Sequence, residues 1–356
     1  MMESRLQFDF ATQQIILRKI AAIDAFQSRW LVEQTDEKVF LKRMKTEAML
    51  ESTGSSTRIE GSTLTNLEVE SVLKNMKITQ LKTREEQEVV GYYEVLALIM
   101  DSFEDIPLSE NYIKQLHGHL LRHSDKDQRH RGAYKNLSNQ VVAASKGGTK
   151  KIVFNTTLPH LTPIAMQELT DWTNEAAEAD VLHPLLIIAV FIYEFLSIHP
   201  FQDGNGRLSR LLTTLLLLKF RYDFVQYCSF ENLIEERKNH YYHALMSGQQ
   251  KRGQADETIE KWVLFFLECL NTLTQQLTQK RAKYKEMKGY LNERQKRLIA
   301  AVAESGSIQI ADLVKILPDF SRATIKNDLA LLVQRRVLVQ VGSGRGVRYF
   351  VAKSAE

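Results

Sequence analysis

The sequence predicts a mainly α-helical protein with one short β-hairpin and a separate small domain at its C-terminal end. Three observations carry this. Apolar residues recur at three- and four-residue steps through most of the first 285 positions. Two segments, His183–Ile198 and the one that opens after Gly206, are apolar enough to be helices at the centre of a domain. β-prone runs are few, namely Val141-Val142 and Lys151-Ile152-Val153-Phe154 around Gly147-Gly148, and a second pair near the end of the chain.

Taken in order, Phe8–Trp30 and Glu37–Leu50 read as amphipathic helices. A Ser/Thr/Gly-rich break follows at Ser52–Ser56, ahead of Ile59-Glu60-Gly61. Thr65 caps the next helix. Glu85–Met100 and Leu108–Arg122 are helices too, the latter capped by Ser109. Gly132–Thr157 is a hairpin or flap, ended by Pro159 and Pro163, and Pro163–Ala177 returns to helix. The two central helices flank His199–Gly206, and Ile234–Met246 and Ile259–Lys283 complete the body.

From Lys288 onward the pattern changes. Helices at Asn292–Ala303, Ile310–Leu317 and Arg322–Arg335, the third capped by Ser321, precede runs at Val337–Val341 and Val347–Val351 that flank Ser343-Gly344-Arg345-Gly346. Three helices and a hairpin in about 60 residues resemble a winged helix. This stretch holds 12 basic and 6 acidic residues, against 35 and 37 in the remainder, so a basic tail follows a mildly acidic body. Arg322, Lys326, Arg335 and Arg345 are candidates for DNA contact, but they are too few to separate DNA from protein as the partner. The organisation expected is an N-terminal helical region over 1–100, a core with its following helices over 101–285, and the tail domain over 288–356.

Composition excludes some classes. At 44% apolar and 25% charged, the chain has ordinary globular usage. Its longest apolar run, Leu185–Tyr193, is well short of the roughly 20 residues that cross a bilayer. Met1–Leu6 leads into no apolar core of a signal peptide. Cys228 and Cys269 lack CxxC spacing and read as buried free thiols of a cytoplasmic protein. His117, His119, His123 and His130 have no metal-ligand spacing, so no zinc is assigned.

The chemistry is concentrated in His199-Pro200-Phe201-Gln202-Asp203-Gly204-Asn205-Gly206-Arg207-Leu208-Ser209-Arg210. A loop with two glycines opens into a helix, so free N–H groups and the helix dipole converge on an anion. Gly204 and Gly206 allow phosphate oxygens to come close. Arg207 and Arg210, one turn apart, can clamp more phosphate charge. Asp203 is a hard oxygen ligand suited to Mg²⁺ on phosphates. His199 can accept a proton from an incoming hydroxyl. Taken one by one these residues have plainer uses, as a core histidine, a helix cap and solvated arginines.

This segment resembles the signature of the Fic family, His-Pro-Phe-x-Asp/Glu-Gly-Asn-Gly-Arg-x-x-Arg, at every specified position. The resemblance runs over roughly Glu47–Met246. Gly132-Ala133-Tyr134-Lys135 stands where the family has Gly-x-Tyr/Phe-Arg, with Lys in place of Arg. Val181–Leu185 begins the helix before the motif, and Tyr241-Tyr242-His243-Ala244-Leu245 resembles an element that lines the nucleotide pocket. The resemblance implies a Fic-type helical bundle with a hairpin flap. It implies AMP transfer from ATP to a Ser, Thr or Tyr hydroxyl of a target protein, with self-modification and a homodimer as further expectations. His199 would be the base and Asp203 the Mg²⁺ ligand. Gly204, Asn205, Gly206, Arg207, Leu208, Ser209, Arg210 and Tyr242 would contact nucleotide, and Lys151, Ile152, Val153 and Phe154 would dock the target by strand addition.

Ser56-Thr57-Arg58-Ile59-Glu60-Gly61 is similar to the family's Ser/Thr-x-x-x-Glu-Gly/Asn inhibitory motif. Glu60 would pair with Arg210 and take the guanidinium meant for the γ-phosphate. Other classes stay open at this stage: a DNA-binding regulator with a nucleotide-sensing body, transfer of another group, or removal of AMP from a modified protein.

Overall fold

The computed structural model describes residues 2–33, 38–76, 81–144, 150–254, 256–288, 293–334, 337–342 and 344–352. Among these are fourteen α-helices and two small antiparallel hairpins. The chain divides into two units, Met1–Gln275 and Gln276–Glu356.

In the first unit the order is α1 (Phe10–Glu33), α2 (Lys38–Ile59), α3 (Asn66–Asn75), α4 (Arg84–Ser102), α5 (Glu110–Leu120), β1 (Gln140–Ala144), β2 (Lys150–Asn155), α6 (Thr162–Ala179), α7 (Pro184–Ile198), α8 (Asn205–Lys219), α9 (Phe230–Glu236), α10 (Lys238–Gln249) and α11 (Glu260–Lys288). The division between units falls inside α11. Thr65 and Thr83 start α3 and α4 with capping boxes closed by Glu68 and Glu86, and Ser109 caps α5. At the centre lies α7, buried along nearly its whole length from Leu185 to Ile198, as its all-round apolar sequence requires. α8 is buried as well, although it carries Arg207, Ser209, Arg210, Thr213 and Thr214. A polar helix inside a core needs partners for those groups, and that need shapes the site.

Two elements depart from the sequence expectation. The break at Ser52–Ser56 is absent, because α2 continues to Ile59 with Ser52, Thr53, Ser55, Ser56 and Thr57 buried. The hydroxyls of Thr53 and Thr57 donate to the carbonyls of Met49 and Thr53 at 2.8 and 3.1 Å, so small polar residues are satisfied within the helix itself. The single helix expected over Ile234–Met246 is two, α9 and α10, separated at Arg237 (φ −110°, ψ 28°). Ser229 caps the first at Asn232 N–H, 3.0 Å away.

β1 and β2 pair antiparallel, Val142 opposite Ile152, with an irregularity at Val141/Val142. The Gly147-Gly148 turn lies outside the described residues, as do the side chains of Lys151, Ile152, Val153 and Phe154.

The second unit holds the C-terminal end of α11, then α12 (Glu293–Ser305), α13 (Ile310–Ile316), α14 (Arg322–Gln334), β3 (Leu338–Val341) and β4 (Arg348–Val351). Ser321 Oγ accepts from Thr324 N–H at 3.1 Å to start α14. Ile308 bridges to Tyr349, which adds one more extended residue to the hairpin. Leu298, Val302, Leu313, Ile325, Leu329, Leu332 and Leu338 form a core of its own. Asp328, buried under this layer, is held by Arg294 and by Gln295. Arg335 lies outside the described residues, as does the side chain of Arg345.

Candidate active site

α7 ends at Ile198, and the capping residue His199 sits in the left-handed region (φ 53°, ψ 59°) and turns the chain sharply into the loop. Its Nδ1 lies 3.3 Å from the Leu196 carbonyl, which can only accept. Nδ1 therefore carries the proton, and Nε2 keeps its lone pair. Burial pushes the imidazole down to about 4, helped by the Lys135 ammonium and opposed by the Leu196 carbonyl, Glu60 and Asp203. A neutral imidazole with a free Nε2 is the form a general base needs.

Buried groups from earlier in the chain hold the loop after His199 in place. Lys135 N–H donates to Pro200 O at 2.8 Å, and its Nζ donates to Ile198 O, Asn139 Oδ1 and Thr156 Oγ1 at 2.8–2.9 Å. Asn139 Nδ2 donates to Phe201 O at 2.9 Å. Desolvation lowers Lys135 to about 8, so it remains largely charged at neutral pH. The chain's Lys, where the family signature has Arg, thus ties the end of α7 to the base of the flap. His117, fully buried in α5, stacks on Phe201 with ring centroids 3.8 Å apart. Its Nδ1 accepts from Gly132 N–H and its Nε2–H donates to the Asp203 carbonyl, each at 2.9 Å.

Burial pushes His117 down to about 4, against the pull of the Asp203 carbonyl. An unfolded histidine titrates near 6.5, so between those values the unfolded chain binds the extra proton. Stability is then full above pH 6.5 and falls as pH drops towards 4, by on the order of 3 kcal/mol for this group. Denaturant midpoints at pH 7 and pH 4.5 should differ less in His117→Gln than in the parent chain.

The anion cradle is the start of α8. Gly204 takes φ +79°, a conformation that suits glycine, and no side chain caps the first-turn N–H groups that follow. Glu60 packs against Gly206: a Cβ there would lie 2.2 Å from Glu60 Oε1, so a side chain at 206 would have to displace that carboxylate. Arg207 is buried, its Nη2 3.1 Å from Asp203 Oδ1 and its Nη1 3.3 Å from Glu88, and among the described residues its Nε has no hydrogen-bond partner. Asp203 Oδ2 meets Arg84 Nη2 at 2.8 Å, and Oδ1 accepts from Gly204 N–H at 2.5 Å. Burial pushes the Asp203 carboxyl up, but Arg207, Gly204 N–H and Arg84 outweigh it and hold the group ionised.

Arg210 is enclosed by the end of α2. Its Nε donates to Ser56 Oγ at 2.8 Å, and its Nη2 donates to Ser56 O at 3.0 Å and to Glu60 Oε1 at 2.8 Å. Desolvation pushes the Glu60 carboxyl up, but Arg210, followed by Arg207 and His199, leaves it below its usual value, so it is a carboxylate. Glu60, His199, Asp203, Gly204–Arg207, Arg210 and Tyr242 line one cavity of about 190 Å³. Ligand pockets are commonly about 300–1,000 Å³; with Glu60 inside, this one is smaller.

Residues 107–217 match the model of the Fic/DOC family. Over this stretch the chain is similar to a Fic domain. Among curated proteins it is similar to those named protein adenylyltransferase Fic, from Drosophila willistoni (28% identical over 260 residues, 71% of this chain and 46% of the relative) and Drosophila yakuba (30% over 237 residues, 64% and 42%). The chain thus spans less than half the length of these relatives. In fold it resembles a Fic family protein from Desulfovibrio desulfuricans (24% identical, TM-score 0.66, 98% of both chains covered) and Fic-1 from C. elegans (20%, TM-score 0.61, 76% and 74%).

Within the motif, three of the residues expected to contact nucleotide have side chains engaged by the protein itself. Leu208 is fully buried in the core, with its N–H on Gly204 O at 2.9 Å. Ser209 donates its hydroxyl to Gly206 O at 2.8 Å and faces away from the cavity lining. Both amide atoms of Asn205 bond the Phe201 backbone, at 2.9 and 2.7 Å, so its side chain holds the loop while the residue still lines the cavity. Conversely, Arg84, Glu88 and His117 belong to the site or its frame without a role expected from sequence. Lys135 and Tyr241 had a signal, through their places in Gly132–Lys135 and Tyr241–Leu245.

Proposed function

We propose that this chain transfers AMP from ATP to a hydroxyl group of a target protein and that Glu60 holds the activity down. The observation that carries this reading is the single cavity in which the free Nε2 of His199, the start of α8, Asp203 and Arg210 come together, with Glu60 on Arg210. The target hydroxyl oxygen attacks the α-phosphorus of ATP. As that P–O bond forms, the bond to the pyrophosphate oxygen breaks, and the hydroxyl proton passes to His199 Nε2. Arg207, the N–H groups at the start of α8 and, once released, Arg210 stabilise the charge on the departing pyrophosphate. Positioning and charge stabilisation provide most of the rate in such reactions.

Asp203 fits a Mg²⁺ ion that arrives with the nucleotide. It offers one hard carboxylate at the cradle, and among the described residues no group of three His, Cys, Asp or Glu could hold a metal alone. When bound, the ion would offset phosphate charge. No described helix is long and apolar enough to cross a membrane. A cytoplasmic setting is supported by two buried cysteines that form no disulfide. The test of the reaction class is its by-product: pyrophosphate released in step with protein-bound AMP supports it, and ADP would contradict it.

We further propose that the tail is a winged-helix module. The order α12–α13–α14–β3–β4, the Ile308–Tyr349 bridge and the separate core support this. Arg294 and Arg297 are engaged by Asp328 and Asp319, while Arg322 and Lys326 are exposed on α14. As a fragment, 288–356 should melt cooperatively, and Asp328→Leu should lower its midpoint. Duplex DNA titrated at two salt concentrations then separates the uses, since DNA binding weakens steeply with salt and a protein-contact module shows none at low salt.

A further inference from the structure

The end of α2 that presents Glu60 is held from outside the cavity. Arg58, two residues earlier, directs Nε and Nη2 at Glu235 Oε1 and Oε2 of α9, at 2.7 and 2.9 Å. This is a two-bond, charge-assisted pair, the most directional ion pair available to a side chain. Its Nη1 also donates to Leu64 O and Asn66 Oδ1 at 3.1 and 3.0 Å, which closes the turn after the helix. Lys238, the first residue of α10, donates from Nζ to Ile59 O at 2.6 Å. That carbonyl is among those a helix leaves open at its C-terminal end, where a cation is favoured. Ser55 Oγ meets Asn232 Oδ1 at 3.3 Å on the same side.

Glu60 therefore sits between two sets of contacts. Inside the cavity its carboxylate bonds Arg210. Outside, the residues on either side of the Arg237 break grip the backbone and side chain just before it. α10 also carries Tyr241 and Tyr242, which line the same cavity. The Arg58 and Glu235 side chains are 20% and 27% exposed, so the pair is open to competition from solvent or from a partner.

We propose that Glu235 and Lys238 are positioning residues that brace Glu60 against Arg210, and that inhibition is released through the α9–α10 junction. The proposal rests on the inhibitory reading of Glu60. A shift of α10, driven by a nucleotide base against Tyr242 or by a partner at Glu235, would loosen Ile59 and Arg58 and let the carboxylate leave Arg210. The break at Arg237 gives this junction a place to bend.

The test uses the full chain, ATP labelled at the α-phosphate, and hydrogen exchange over 55–62. Glu235→Gln is expected to raise protein-bound label on the order of tenfold, equivalent to about 1.4 kcal/mol, and to speed exchange at 58–61. Added to Glu60→Gly it should bring no further gain, because the carboxylate it positions is already gone. The charge swap Arg58→Glu with Glu235→Arg should return label and exchange towards the parent values, which a merely destabilised fold would not do. Lys238→Met is the second variant and should act in the same direction. If Glu60→Gly gains label while Glu235→Gln and Lys238→Met do not, the brace is wrong and the inhibitory reading stands. If Glu60→Gly gains none, the inhibitory reading fails, and unchanged exchange in Glu235→Gln would then overturn the brace on its own.

Discussion

Glu60→Gly is expected to raise AMP transfer on the order of a hundredfold. Glu60 Oε1 is 2.8 Å from Arg210 Nη2, and it occupies the space against Gly206 so closely that even a Cβ there would meet it at 2.2 Å. A carboxylate in that position takes both the guanidinium and the volume a terminal phosphate needs. On the proposed reading, nucleotide that enters beside it would hold its α-phosphate out of line, and a misplacement of about 1 Å can cost on the order of a hundredfold in rate. The gain should therefore appear mainly in turnover, with a smaller gain in ATP affinity. Arg210→Ala added to Glu60→Gly should erase it, since the clamp that Glu60 releases is then missing. A variant that instead lost the ability to remove AMP from a modified protein would make Glu60 a catalytic residue of the reverse reaction.

The second large effect is loss at His199. Removing a positioned base typically costs about 10²–10⁴ in rate and leaves ground-state phosphate binding nearly intact. His199→Ala should thus lose transfer while ATP still binds. Alanine is strained at φ 53°, so His199→Asn, which tolerates the left-handed region better, separates loss of the base from loss of the turn. In the parent chain the imidazole titrates at about 4. The base form is fully present above that value and is lost as pH falls through it. An initial-rate profile in the Glu60→Gly background should accordingly have its acid limb well below that of an ordinary histidine, since the variant also removes a carboxylate that raises His199.

Much of the site could be read from the chain because its chemistry is local. His199 to Arg210 is one loop and one helical turn, so the groups proposed as base, cradle and clamp stand together in the sequence, and the motif they form is what suggested their roles. Glu60 could be read only through its motif, and its contact with Arg210 spans 150 positions. The frame could not be read this way. His117 and Arg84 reach Asp203 across 86 and 119 positions, and nothing in their own neighbourhoods marks them. The break expected at Ser52–Ser56 failed for a physical reason. Serine, threonine and glycine together suggest a loop, yet inside a packed helix their small volumes allow close neighbours, and their hydroxyls bond the preceding turn. That same helix carries Ser56 to Arg210 and ends just before Glu60, the residue proposed to hold the activity down.

The most direct test of the central claim is the fate of the two ends of ATP. The parent chain, Glu60→Gly, and Glu60→Gly with His199→Asn are each incubated with ATP labelled at the α- or the γ-phosphate, and protein-bound label and intact mass are read. The account predicts α-label on protein, as whole AMP units, strongly increased in Glu60→Gly and absent once His199 is also replaced. γ-Label on protein, or α-label that persists without His199, would contradict it.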